Sequence, residues 1–241
     1  MRALTTAELL EVWERGLPQR PIERALEILC AAHAATSFEE LAACSVGERD
    51  RLLLTLREWT FGPDLNAVLS CRYCREQLEV NFSTADVLAS SKPAAEMKLG
   101  VNSFDLRLRP VTSADLLEVL RAPFPSARAA LLSRCIVSAQ QADEPLPIEQ
   151  LPDEVIEASL ERMAAADPQA DIQIAVECPR CGEHQNAPLD IVEFFWSEIE
   201  AWAVRILREV HALASAYGWR EADILALSPA RRQTYLGMVT A

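Results

Sequence analysis

Asp171-Ile172-Gln173-Ile174-Ala175-Val176-Glu177-Cys178-Pro179-Arg180-Cys181-Gly182 is the stretch on which the fold turns. Ile172, Ile174 and Val176 alternate with polar residues, the period of a half-buried strand. That strand runs straight into a Cys-x-x-Cys turn, for which Pro179 and Gly182 are suitable residues. A second such turn, Cys71-Arg72-Tyr73-Cys74, is followed by Leu78, Val80 and Phe82 in the same alternation. Both halves share an order of strand, cysteine knuckle, strand and helix cap, the caps being Ser83 or Thr84 in the first half and Asp190 in the second.

Zinc takes thiolates at tetrahedral angles, and one Cys-x-x-Cys turn supplies two of them. The two pairs therefore predict a zinc ribbon built from similar halves, with Cys71, Cys74, Cys178 and Cys181 around one structural ion. Four thiolates close the shell and leave no place for a catalytic water. Two disulfides, or two pairs of unmetallated thiols, are the alternative readings of the same spacing. The 103 residues between Cys74 and Cys178 far exceed the roughly 15 to 20 of a compact ribbon. A β-hairpin and several helices must be inserted there, which is tolerable because closure entropy grows slowly with loop length. Cys30, Cys44 and Cys135 fall in helical apolar patterns and read as small core residues; His184 reads as a loop histidine.

Outward from the cysteines the chain reads as helix. Thr6 is positioned to cap a run through Leu9, Leu10 and Trp13, and Pro21 opens another through Ala25, Leu26 and Leu29. Ser37 with Glu40 and Ser45 with Glu48 have capping-box spacing. Phe61-Gly62-Pro63 ends the second of those helices. Met97 to Val101 and Phe104 to Leu108 predict a hairpin turning at Asn102-Ser103. Ser113 opens a helix, 127–139 continues in helical style, and the three prolines of 143–152 suggest a linker before a helix over 155–165. After Asp190, Ile191, Phe194, Phe195, Ile199, Trp202, Ile206, Val210 and Leu213 step by threes and fours, which predicts a helix of about 25 residues. Gly218 breaks it, and two short helices follow, the second opened by Ser228-Pro229. The expected architecture is mainly α with a small β zinc ribbon. It has a helical region at 1–62, a ribbon core at 63–190 with an insertion at about 96–170, and a long helix plus helix pair at 191–241.

Composition limits function. The chain has 241 residues, 23 basic against 36 acidic, and a formal charge of −13. At roughly 150 residues per domain that length implies one or two domains. The acidic balance argues against a phosphate backbone as partner, since that surface needs clustered Lys and Arg. Seven glycines are few, and no phosphate-binding glycine loop occurs among them. Glu8 and Glu11 interrupt any secretory leader, and no run is apolar enough to span a bilayer, so a cytoplasmic protein is expected. His33, His184 and His211 have no partner spacing that makes a catalytic site, and no nucleophile motif is present. The expectation is a non-enzyme.

The C-terminal third carries a resemblance. Trp202 to His211, then Tyr217-Gly218-Trp219, then Ile224 to Arg232 with Tyr235-Leu236, resemble the baseplate hub assembly chaperone family of contractile-tailed, T-even-type phages, with relatives in contractile injection systems. Gly47-Glu48-Arg49-Asp50-Arg51-Leu52-Leu53 and Phe61-Gly62-Pro63 add to it. The resemblance implies an assembly factor, transient or retained, whose partner is a baseplate hub, spike or tape-measure protein and neither nucleic acid nor membrane. Trp196, Trp202, Tyr217, Trp219, Arg231, Arg232 and Tyr235 are the candidate partner-binding residues. The competing class is a zinc ribbon that binds nucleic acid in a transcription-associated role; it requires a basic stripe by the knuckles, for which Arg72, Arg75 and Arg180 are the candidates. A metalloenzyme with fewer than four thiolates is a third class.

Overall fold

The structure, a computed structural model, describes residues 1–89, 93–121 and 126–239. It is mainly helical with small antiparallel sheets, and it divides into two compact units.

The first unit comprises Met1–Ala35 and Val192–Ala241. Helix α1 (Thr6–Gly16) is capped by Thr5, one residue before the expected Thr6, in a full capping box with Glu8. Helix α2 (Pro21–Ala32) begins on its proline. Leu9, Leu10 and Val12 of α1 and Ala25, Leu26, Ile28 and Leu29 of α2 are buried. Helix α9 (Ile191–Tyr217) contributes Phe195, Trp196, Ile199, Ile206 and Leu213 to the buried set. At one crossing the backbone comes close to a ring: a Cβ on Gly16 would lie 2.4 Å from the Trp196 indole. The Arg24 guanidinium covers that indole at 4.5 Å and donates to the Gly16 and Leu17 carbonyls. Gly218 takes the left-handed conformation (φ 68°) that ends α9. Helices α10 (Glu221–Leu225) and α11 (Pro229–Val239) follow as the expected pair.

The second unit is Thr36–Ile191. Helices α3 (Phe38–Ala42) and α4 (Val46–Phe61) start at the caps read from sequence, Ser37 and Ser45. The helices of residues 1–62 are thus shared out, α1 and α2 packing with α9 and α3 and α4 with the cysteine-bearing unit. Strands β1 (Asp64–Ser70) and β2 (Gln77–Ser83) form one hairpin, and the short helix α5 (Thr84–Val87) follows. Strands β3 (Met97–Val101) and β4 (Phe104–Leu108) form the predicted hairpin, with Asn102 at φ 53°. Helix α6 (Ser113–Arg121) is capped by Thr112 through Asp115 rather than by Ser113.

The sequence reading fails at 136–141. Helix α7 (Ala127–Cys135) stops there, and Ile136–Gln141 is strand β5, paired to β4. Ile136 and Ala139 enter the sheet's core cluster, and cross-strand pairing overrides a helical composition. The proline stretch is a return rather than a linker. It forms β6 (Glu144–Pro145) on β5 and a 3-10 turn at Ile148–Gln150, and Leu151 is buried. Helix α8 (Asp153–Ala166) covers β3 and β4. The sheet order is β3-β4-β5-β6, and Met97, Leu106, Leu108, Leu132, Val155 and Met163 form the centre of its core.

Buried polar contacts hold the inserted sheet and its helices together and anchor the chain where it leaves them. Asp115, 1% exposed, accepts from Arg109, Arg134 and Thr112, which hold its carboxyl well below the usual range against the cost of burial. Gln169 accepts from the Ala89 N–H and donates to the Val87 carbonyl. Asp167 accepts from the Gly47 N–H at 3.0 Å, and a Cβ on Gly47 would lie 1.8 Å from its other oxygen. Only glycine allows that approach.

In the same region Arg49 and Asp50 form a buried pair at 2.7 Å, with Arg49 also donating to Ser113. Burial pushes the Asp50 carboxyl up to about 6 despite Arg49, with Asp190 and Asp167 adding repulsion. A carboxyl raised in the folded state favours folding while protonated, so its contribution falls as pH rises from about 4 through about 6. Urea unfolding of the native chain and of Asp50→Asn should therefore diverge across that window. The expected difference is on the order of 3 kcal/mol, with the native chain losing stability relative to the variant as pH rises; parallel profiles would refute it.

Candidate metal centre

Strands β7 (Gln173–Glu177) and β8 (His184–Pro188) form a third antiparallel hairpin. It repeats the β1–β2 hairpin residue for residue at an offset of 107. Ser70 pairs with Gln77 and Leu65 with Phe82; Glu177 pairs with His184, and the Leu189 N–H reaches the Ile172 carbonyl. The turns match as well. The Cys71 N–H donates to the Glu76 carbonyl at 2.8 Å and the Arg75 N–H to the Cys71 carbonyl at 3.1 Å. In the second turn Cys178 donates to Glu183 at 2.9 Å and Gly182 to Cys178 at 2.8 Å. The residue after each second cysteine is left-handed, Arg75 at φ 62° and Gly182 at φ 73°. Glycine takes that conformation freely, whereas arginine takes it at a cost the first turn absorbs.

The two turns face each other. All four sulfurs lie within 4.8 Å of one another. Cys71 Sγ is 3.7 Å from Cys181 Sγ, and Cys74 Sγ is 3.6 Å from Cys178 Sγ. These separations are far beyond a disulfide bond of about 2.05 Å. A tetrahedron with metal–sulfur bonds of about 2.3 Å has edges of about 3.8 Å, so the donor set fits a tetrahedral thiolate-bound ion. Cys71 and Cys178 are buried, Cys74 is half-buried and Cys181 exposed. Leu69, Leu78, Val80 and Val176 pack around them.

Electrostatics support the same fit. The backbone N–H of Cys74, opposed by burial and aided by the N–H of Tyr73, brings the Cys71 thiol down to about 7. At Cys181 the Glu183 N–H favours the thiolate, but desolvation and the three neighbouring sulfurs outweigh it and push the thiol up to about 12. One thiolate forms readily and the last forms only with difficulty. A dication at the centre would lower all four thiols, because it rewards each added negative charge.

Two contacts bind hairpin to hairpin outside the sulfurs. Gln185 on β8, 9% exposed, accepts from the Arg72 N–H at 2.8 Å and donates to the Ser70 carbonyl at 3.4 Å. Its counterpart in the first hairpin is Leu78, an apolar core residue, so the repeat is broken where one half grips the other. Arg180 pairs with Glu76 at 2.6 Å, which engages one of the three arginines a basic stripe would need. Sequence reasoning missed Gln185, because its role depends on a partner more than 110 residues away. His184 sits in β8 at the hairpin's exposed end.

The candidate partner residues all lie in the first unit and divide into two groups. Trp196, 4% exposed, is enclosed by Gly16 and Arg24, and Arg232, 3% exposed, pairs with Glu209 at 2.7 Å. Both serve the interior. Trp202 is half-buried against the α9–α10 core. Tyr217 and Trp219 stack at 4.7 Å, with Tyr235 edge-on to both, and Tyr217 and Arg231 are exposed.

Among the described residues no helix is long and apolar enough to cross a membrane. The family model described as T4 bacteriophage base plate protein matches residues 8–196. That span contains Gly47 to Leu53, Phe61-Gly62-Pro63 and both cysteine pairs, and it ends before the C-terminal motif at 202–236. No curated protein and no solved structure matches the chain.

Replacing Gln185 by Ala leaves the Arg72 N–H and the Ser70 carbonyl without their Gln185 partner. Loss of about 1–3 kcal/mol from the second unit is expected, read by urea unfolding. Gln185→Glu sets a buried carboxylate against the Ser70 carbonyl, so its loss should exceed that of Gln185→Ala at pH 7 and shrink at low pH, where the protonated acid can donate to Ser70; a loss that does not change with pH would remove Gln185 from this role.

Proposed function

The chain belongs to the T4 bacteriophage base plate protein family, and from that premise we propose that it is a non-enzymatic assembly factor for the hub region of a phage-like contractile tail or injection-system baseplate. The observation that carries the reading is the extent of the family match, which takes in α2 to α8 and both cysteine hairpins together. In this reading the second unit is tied by one zinc ion held by Cys71, Cys74, Cys178 and Cys181. Zinc supplies a closed four-thiolate junction and no reactive position. The protein's own residues place the sulfurs: two matched turns, the left-handed Arg75 and Gly182, and Gln185 between the hairpins.

The partner surface proposed here is the exposed side of the C-terminal helices, with Trp202, Tyr217, Trp219, Arg231 and Tyr235 as contacts and Trp196 and Arg232 as the interior supports. Aromatic and arginine side chains are those that anchor protein interfaces most often. The partner is a hub, spike or tape-measure component, and the net charge of −13 keeps such a complex soluble. Action as a transient chaperone or as a retained component, at a cytoplasmic site, belongs to the same proposal.

Metal analysis of the purified full chain should give one zinc per chain, and Cys178→Ser should abolish it together with the protease resistance of the second unit. Co-expression with the tail and baseplate proteins of the same particle should recover one of them with the tagged chain, and Tyr217→Ala with Tyr235→Ala should weaken recovery at least tenfold. Recovery of none of them would overturn the assembly reading and leave the metal reading to its own measurement.

A further inference from the structure

The offset that relates the two hairpins also aligns their turns residue by residue, and the turns differ in kind. The second reads Cys178-Pro179-Arg180-Cys181-Gly182 and the first Cys71-Arg72-Tyr73-Cys74-Arg75. Proline and glycine are ordinary turn formers, and the first turn has arginine at both of their places. Arg72 cannot be proline, because its N–H donates to Gln185, but that bond asks nothing of its side chain. Arg75 is the sharper case. It is left-handed at φ 62°, and the bond from its N–H to the Cys71 carbonyl is one that Gly182 makes to Cys178 without strain. An arginine held at a backbone cost, with its side chain exposed, points to a use for that side chain. Tyr73 lies between the two arginines in sequence and is 64% exposed. Glu76, the next carboxylate along the chain, is committed to Arg180 at 2.6 Å. Among the described residues neither the Arg72 nor the Arg75 guanidinium has an ion-pair or hydrogen-bond partner.

We propose that the first turn is a docking tip for a short acidic segment of a partner protein, with Arg72 and Arg75 taking its carboxylates and Tyr73 packing on the segment that carries them. Guanidinium forks match carboxylates with two parallel hydrogen bonds, and a tyrosine adds contact area at little rotamer cost. The tip is a positive island, because the second unit carries most of the chain's charge of −13. Its sign selects an anion, and its size selects the kind of anion. Glu79, Glu177 and Glu183 are exposed on the same two hairpins. An extended polyanion such as nucleic acid would run from two arginines onto carboxylates, with too few phosphates neutralised to hold it. A short acidic segment meets the arginines alone. At physiological salt the remaining charge of the unit is screened beyond about 8 Å, while contacts at the tip persist. Arg72, Tyr73 and Arg75 lie in the second unit and the C-terminal aromatics in the first, so this proposal does not rest on the assembly reading.

The test is fluorescence anisotropy of a labelled oligo-glutamate peptide titrated with the purified full chain at physiological salt, beside a single-stranded oligonucleotide with the same label. The peptide should bind, and high salt should release it. Arg72→Glu together with Arg75→Glu should weaken binding at least tenfold, and Tyr73→Ala should weaken it severalfold. Should the double glutamate variant fail to fold, Arg72→Gln with Arg75→Gly should weaken binding in the same direction. Arg75→Gly alone separates use from structure. It should weaken binding while the urea midpoint of the second unit holds or rises, because glycine takes the left-handed conformation freely. A lower midpoint would make Arg75 a structural residue and overturn the proposal. No binding by the native chain, equal affinity in the variants, or tighter binding of the oligonucleotide would each sink it as well. None of these results bears on recovery of tail proteins through the C-terminal residues, so the two readings fail separately.

Discussion

Two short hairpins whose cysteines lie 104 and 110 residues apart are brought together at one cluster of four sulfurs. A two-stranded hairpin is marginal alone in water. Here the apolar support is thin: Leu78 and the buried cysteines, with Leu69, Val80 and Val176 packed around them. Closing a loop of this length costs on the order of 5 kcal/mol in chain entropy. A thiolate-bound ion, at on the order of 10 kcal/mol, would exceed that cost. The inserted sheet also needs the junction, because its chain enters and leaves through the two hairpins.

The offset of 107 gives the junction its form. Equivalent turns with equivalent hydrogen bonds present their sulfurs with the same local geometry, and opposing two such turns makes the donor set tetrahedral. Perfect repetition would leave the hairpins free to twist against each other about the sulfurs. The departure at Gln185, where the first hairpin has Leu78, removes that freedom with two hydrogen bonds to the opposite backbone. The insertion is fastened at its exit by the same logic: Gln169 and Asp167 reach back to 87–89 and to Gly47. A buried polar group satisfied by distant backbone fixes position in a way that apolar contact does not.

What could be read from residue order was what local physics decides. Caps at Ser37 and Ser45, the proline start of α2, the 27-residue α9 and the alternation of β7 all follow from spacing within a few residues. The pairing of the cysteines was legible because thiolate spacing is a chemical requirement. Strand β5 was not, since Ile136 to Gln141 becomes strand only through its partner β4. Gln185, Gln169 and Asp167 were equally silent, because their meaning lies in backbone groups about 80 to 120 residues away.

In the C-terminal motif core residues and partly exposed aromatic residues share one pattern. Arg232 and Glu209 form a pair in the interior of the first unit, and Gln233 donates to the second oxygen of Glu209. Such a pair adds little net stability, since desolvation offsets most of its attraction. It does fix the register of α11 on α9, because a shifted helix would leave a buried charge alone at a cost of about 3–5 kcal/mol. That register brings Tyr235 against Tyr217 and Trp219. The motif therefore acts in two layers, a charged lock inside and an aromatic face partly outside. The outer layer stands on a scaffold whose position the inner layer has already set.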